Sequence, residues 1–144
     1  MREDTKQQAN IIARIRKLIL NFELSIEYAK AEIKLREADM KLFESSLTSP
    51  KKKSYRKQQY LNAKIDKEKL EIYLYDVTKA RDELHKDLDR VLNNYRPIHK
   101  QVIKMFFFED KTYQEIADTT HYSFDFVKDI ISNFKRDILN YYLP

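Results

Sequence analysis

Residues 97–139 read PIHKQVIKMFFFEDKTYQEIADTTHYSFDFVKDIISNFKRDIL. The stretch predicts three short helices with a tight turn between the last two, a helix-turn-helix arrangement. Pro97 suits a first helical position, because its φ is fixed and it lacks the N–H that would go unbonded there. Ile98, Val102, Met105 and Phe106 follow at helical spacing. Glu109, Asp110 and Lys111 end that apolar run. Thr112 and Glu115 then form a T-x-x-E capping box, which starts a second helix running to about Thr119. Tyr113, Ile116 and Ala117 give it an apolar face, and Ala117 is small enough for a close helix crossing. Ser123 is placed to cap the third helix, whose inward set is Val127, Ile130 or Ile131, Phe134 and Ile138. Thr120, His121 and Tyr122 leave room only for a sharp turn. Phe106 or Phe107 is expected against Ile116 and Val127, with one of the three phenylalanines at 106–108 turned outward.

On Val102, Ile103, Phe107, the run Thr112 to Ala117, Ser123, Val127 and Lys128, the stretch resembles region 4 of sigma factors. It is also similar to the C-terminal half of phage late-gene transcription activators of the ArpU, RinA and LtrC kind. The likeness covers about a third of the chain. It implies that the helix opening at Ser123 enters a DNA major groove, while the helix before it crosses the backbone. The implied base readers are Phe124, Asp125, Lys128, Asp129 and Ser132. Lys135 and Arg136 would meet phosphate, and Thr112 and Gln114 complete the implied DNA-binding set. The chain departs from the pattern at His121, which stands where the turn commonly has Gly and where a positive φ is expected. Phe124, Phe126 and Ile130 also make the implied reading face unusually apolar.

Non-specific affinity for DNA comes mostly from Lys and Arg neutralising phosphates. Residues 97–144 hold six of these against seven Asp or Glu, net −1, whereas residues 1–96 are net +6. A single copy of the C-terminal segment is therefore expected to bind DNA weakly. Either it combines weak sites as a dimer or with polymerase, or it has exchanged DNA for a protein partner.

With 144 residues, the chain suffices for one or two small domains. Gly is absent, which removes Gly-rich phosphate loops and dinucleotide fingerprints and argues against a turn-dense β fold. A charged fraction of 35% with only three Pro is a helical, coiled-coil profile, so the fold class expected is all-α. Cys is absent too, excluding disulfides and Cys-containing zinc sites. No apolar stretch has the length of a signal peptide core or a membrane span. A cytoplasmic location in a bacterial host is expected.

Toward the N-terminus, Ile12, Ile15, Ile19, Phe22, Ile26, Ala29, Ile33, Met40, Phe43 and Leu47 alternate in steps of three and four, predicting one long helix from about 5 to 47. Five heptads are enough for a coiled coil. Only Arg36 interrupts the seam, where it is expected to snorkel, to fix register against an acid, or to mark the end of the partner. Residues 45–53, SSLTSPKKK, break the pattern, and Ser49 before Pro50 is biased away from helix. A second long helix is expected from about 54 to 93. Its assigned set is Leu70, Tyr73, Val77, Ala80, Leu84, Leu88, Val91 and Tyr95, with an extra residue between Leu84 and Leu88. The two helices are expected as an antiparallel coiled-coil hairpin over residues 1–95, joined to a helix-turn-helix domain over 96–144. An intermolecular coil that also uses Leu24, Tyr28, Leu35, Ile72 and Tyr75 is the alternative. The tip at 50–57 carries Lys51, Lys52, Lys53, Arg56 and Lys57, a candidate phosphate contact or simply a solvated loop.

His85, His99 and His121 stand far apart in sequence, so no metal or other cofactor is expected. The acidic pairs fall on charged helical faces without a nucleophile or base beside them, so no catalytic residue is assigned and no enzyme is expected. The resemblance implies a sequence-specific DNA-binding transcription regulator, a phage late-gene activator. Its expected partners are double-stranded promoter DNA, host RNA polymerase, a regulatory protein and a second copy in a homodimer. Two other functions remain in view: a phage small terminase subunit recognising packaging-site DNA, and a coiled-coil adaptor whose helix-turn-helix is a relic.

Overall fold

The computed structural model describes the backbone of residues 2–45 and 53–143, and side chains over 6–44 and 54–143. Five helices account for nearly all of it: α1 Arg2–Ser45, α2 Lys53–Leu92, α3 Pro97–Phe107, α4 Tyr113–Thr120 and α5 Phe124–Tyr142. No strand occurs among the described residues. The expected break at 45–53 falls mostly at residues 46–52, outside the described ones, as does Leu47.

The chain divides into two compact units, one of residues 1–21 with 81–144 and one of 22–80. In the first, α3, α4 and α5 share one apolar cluster with the two ends of the long helices. Ile12, Ile15 and Ile19 of α1 and Leu88, Val91 and Leu92 of α2 are buried together with Val102, Ile103, Phe107, Ile116, Val127, Ile131, Phe134 and Ile138. Burying a side chain of this size stabilises by roughly 1.5–3 kcal/mol, so the six residues from the long helices are a major part of this core. The segment between α2 and α3 therefore lies inside one compact unit. Polar contacts tie it further: Tyr95 donates to Asp137, and Tyr142 donates to Asp87 at 3.2 Å. Burial first, then the adjacent carboxylates, push both phenols above their ordinary value, Tyr142 to about 12.

The second unit is a pair of antiparallel helices: Arg56 near the start of α2 lies over Phe43 near the end of α1, and Asp66 further along α2 meets Arg36 further back on α1. Only Ile26, Ala29 and Ala63 are fully buried among its described residues. Arg36 meets Asp66 across the seam at 3.9 Å and Glu32 and Asp39 on its own helix, each at 3.6 Å. An arginine at a seam position so flanked favours one register, since sliding the pair would leave its charge facing apolar neighbours.

On α2 the sheltered positions differ from the expected ones. Tyr73 and Ala80 are exposed, and Leu74 and Arg81 take their places. Among the sheltered residues of α2, Tyr60, Ala63, Lys67, Leu70, Leu74, Val77, Arg81, Leu84, Leu88 and Val91 form an unbroken alternation of three and four. The extra residue inferred between Leu84 and Leu88 does not exist. It arose because Lys67 and Arg81 hold seam positions by laying their stems along it, leaving Tyr73 and Ala80 as misleading apolar neighbours.

Candidate functional site

The segment around α4 and α5 is built by local capping. Thr112 accepts from the Glu115 amide at 3.2 Å, the first half of the expected capping box, and the Glu115 carboxylate takes the Thr112 hydroxyl at 3.1 Å in place of the Thr112 amide. Ser123 accepts from the Phe126 amide at 3.1 Å and caps α5 in the same manner. Between them the chain turns on His121, whose φ of 62° and ψ of 20° are left-handed. That is the conformation for which Gly is the usual residue. Thr119 and Thr120 return their hydroxyls to the carbonyls of Glu115 and Ile116, at 2.8 and 2.7 Å.

The inner side of α5 is Val127, Ile130, Ile131, Phe134 and Ile138, all buried. Ile130 and Ile131 are thus both inward, not one or the other. Phe134 stands edge-on to Phe107 at 5.2 Å and to Tyr95 at 5.7 Å. Ile116 and Ala117 of α4 are buried against this side. Of the expected α3 set, Val102, Met105 and Phe106 are inward, but Ile98 is 53% exposed. Ile98 is the second residue of α3, in its first turn. Phe106 and Phe107 are both buried, and Phe108 packs edge-on to His85 at 4.8 Å. His85 is therefore half-covered, and its Nε2 is a buried atom without a hydrogen-bond partner.

The outer side of α5 presents Phe124, Asp125, Lys128, Asp129, Ser132 and Arg136, all exposed. Arg136 lies 3.6 Å from Asp137. Lys135 behaves differently from its neighbours. Its ammonium donates to the Tyr113 hydroxyl at 2.9 Å and sits 4.8 Å above the Phe106 ring. Arg16 from α1 lies over the same ring at 3.7 Å and pairs with Asp110 at 2.9 Å. Two cations thus share Phe106, an arrangement worth about 0.5–1 kcal/mol per contact when exposed and more when desolvated. An open groove of about 340 Å³ runs beside them, lined by Ile12, Arg16, Phe106 and Lys135 among others. In α4, Thr112 and Gln114 are exposed, and Gln114 donates to Asp118 at 2.8 Å.

Next to this face lies an aromatic patch. Phe126 contacts Tyr122 and His99 edge-on at 5.0 and 5.8 Å, and Phe124 contacts Tyr113 at 5.8 Å. Phe124 and Phe126 stay 42% and 40% exposed. Of the basic tip, Lys51 and Lys52 lie outside the described residues, as does the side chain of Lys53. Arg56 is half-buried with its guanidinium 5.9 Å above the Phe43 ring, and Lys57 is exposed. Among the described residues no helix is long and apolar enough to cross a membrane. No protein-family model, curated protein or solved structure matches the chain.

Proposed function

We propose that the chain is a sequence-specific DNA-binding transcription regulator, a phage late-gene activator that works with host RNA polymerase in the bacterial cytoplasm. In this reading α4 and α5 are a helix-turn-helix, with α5 entering the major groove. The observation that carries it is the outer side of α5, where Asp125, Lys128, Asp129 and Ser132 are solvent-facing along one stripe while the opposite stripe is buried. Lys128 follows the capped start of the helix by one turn, where a recognition helix makes base contacts. Asp125 can accept from cytosine N4. Phosphate contacts fall to Arg136, to Thr112 and Gln114 at the start of α4, and to Lys135 after it leaves Tyr113.

Charge supports a modest affinity. Counted over the whole compact unit, residues 1–21 with 81–144, the net charge is +2 rather than the −1 of residues 97–144 alone. The difference comes from the long-helix ends, including exposed Arg14 and Lys17.

The test is a gel-shift titration of the full chain on the DNA flanking its own gene, at low salt and again at physiological salt. Lys128→Ala is expected to weaken specific binding by about 1–3 kcal/mol with thermal unfolding unchanged. Equal binding by the variant and the parent refutes the docking of α5. The aromatic patch of Phe124, Phe126 and Tyr122 favours a second reading, an adaptor that captures a protein. Absence of any DNA complex at low salt selects it.

A further inference from the structure

The helix α1 carries a second heptad stripe that its packing on α2 leaves exposed. Within residues 22–80, the side of α1 turned to α2 runs through Phe22, Ile26, Ala29, Ile33, Arg36, Met40 and Phe43, all sheltered. Two residues further along from each of the first six lie Leu24, Tyr28, Ala31, Leu35, Ala38 and Leu42. A step of two residues is a rotation of roughly 200° on an α-helix, so this set occupies the opposite side. All six are exposed, the four large ones between 54% and 61%. Six consecutive apolar positions in alternating steps of four and three make a coiled-coil seam, and contiguous apolar surface of this kind marks an interface. The corresponding outer stripe of α2 is Leu61, Ile65, Glu68, Ile72, Tyr75 and Lys79, where two charges interrupt the apolar run.

We propose that this α1 stripe is the dimer interface of the protein, and that it pairs antiparallel with the same stripe of a second copy. Side-chain size fixes the direction. In the antiparallel register centred at residue 33, Leu24 faces Leu42 of the second copy, Tyr28 faces Ala38 and Ala31 faces Leu35. Every small residue then meets a large one, which is how facing layers interdigitate. The parallel in-register alternative stacks Tyr28 on Tyr28 and Ala31 on Ala31, alternating crowded layers with empty ones. Charge leaves the direction to side-chain size: the antiparallel register sets Glu27 beside Lys41 of the second copy, twice by symmetry, and the parallel one sets Lys34 beside Asp39 twice but also Glu27 beside Glu32 twice. The residues meeting their own copies at the centre are Lys34, whose stem reaches solvent, and Glu32, already 3.6 Å from Arg36. A second copy seated here lies on the side of α1 away from α2. This inference is independent of DNA binding.

Light scattering or sedimentation equilibrium of the full chain at micromolar concentration is expected to give the mass of two copies. The double variant Tyr28→Glu with Leu35→Glu is expected to give one copy with helical circular dichroism retained, because both residues are exposed. Direction is tested by disulfides, since the chain has no Cys of its own. A mixture of Tyr28→Cys and Ala38→Cys chains is expected to cross-link between the two variants, and neither variant alone with itself. A monomeric parent, a dimer that survives the double variant, or self-cross-linking of Tyr28→Cys each overturns the proposal.

Discussion

Cutting the chain at residue 96, where the α2–α3 junction lies, is expected to leave a fragment 96–144 that does not fold. The buried cluster of the first unit numbers eighteen residues, and six of them, Ile12, Ile15, Ile19, Leu88, Val91 and Leu92, belong to α1 and α2. At roughly 1.5–3 kcal/mol for each large apolar side chain buried, these six bring about 9–18 kcal/mol. Some of that area is buried between α1 and α2 themselves. If half lies against α3–α5, the cut removes roughly 5–9 kcal/mol, as much as the whole stability of an ordinary small domain. The cut also removes the acceptor of Tyr142 on Asp87 and the ring of Tyr95 beside Phe134. Circular dichroism and amide dispersion by NMR provide the assay, with the full chain as reference and Ile15→Ala in the full chain as a milder probe. The probe is expected to cost about 2–5 kcal/mol and to lower the unfolding midpoint of α3–α5. A fragment 96–144 with a cooperative melt and dispersed amides refutes the shared core. The expectation has a practical edge, because the isolated fragment would fail in a DNA-binding test whatever the intact protein does.

Thr112→Ala is expected to cost about 1 kcal/mol in denaturant unfolding, because the Glu115 amide loses its cap; no change would mean that water replaces the hydroxyl. Spectrophotometric titration of the ten tyrosines is expected to show Tyr95 and Tyr142 ionising above the ordinary value of a phenol. Both phenols are raised in the folded chain above the ordinary value of about 10, so the stability they contribute is complete below pH 10. It is lost as pH rises through the folded values, about 12 for Tyr142, and a melting temperature that is flat from pH 9 to 12 contradicts this. Arg36→Leu is expected to leave stability unchanged or raise it by about 1 kcal/mol, since an ion-paired seam residue gains little over an apolar one. A loss above 2 kcal/mol in thermal unfolding would show that the Asp66, Glu32 and Asp39 contacts carry net energy.

What could be read from the sequence was what is decided locally. Pro97, Thr112 with Glu115, and Ser123 each act within one helical turn, and each stands at the helix start it predicts. The inward face of α5 follows from periodicity alone, because one helix packed on one core leaves only one consistent stripe. Partnership is different in kind. Ile12, Ile15 and Ile19 continue the same heptad as Ile26 and Ala29, yet the first three join the cluster of α3–α5 while the others pack in the second unit. A repeat of three and four specifies a stripe and says nothing about what covers it. The phase of α2 failed for a related reason: Lys67 and Arg81 count as polar in any pattern, although their stems are as apolar as a leucine's. At the candidate site, the exposure of Lys128 and Ser132 follows from the same helical period that buries Val127 and Ile131. The Lys135 contact with Tyr113 joins residues 22 apart in sequence and has no local signature. The same period argues for the second α1 stripe. Leu24, Tyr28, Leu35 and Leu42 are spaced as regularly as the seam on the opposite side of the helix, and a second helix packed there would bury them as the first seam is buried.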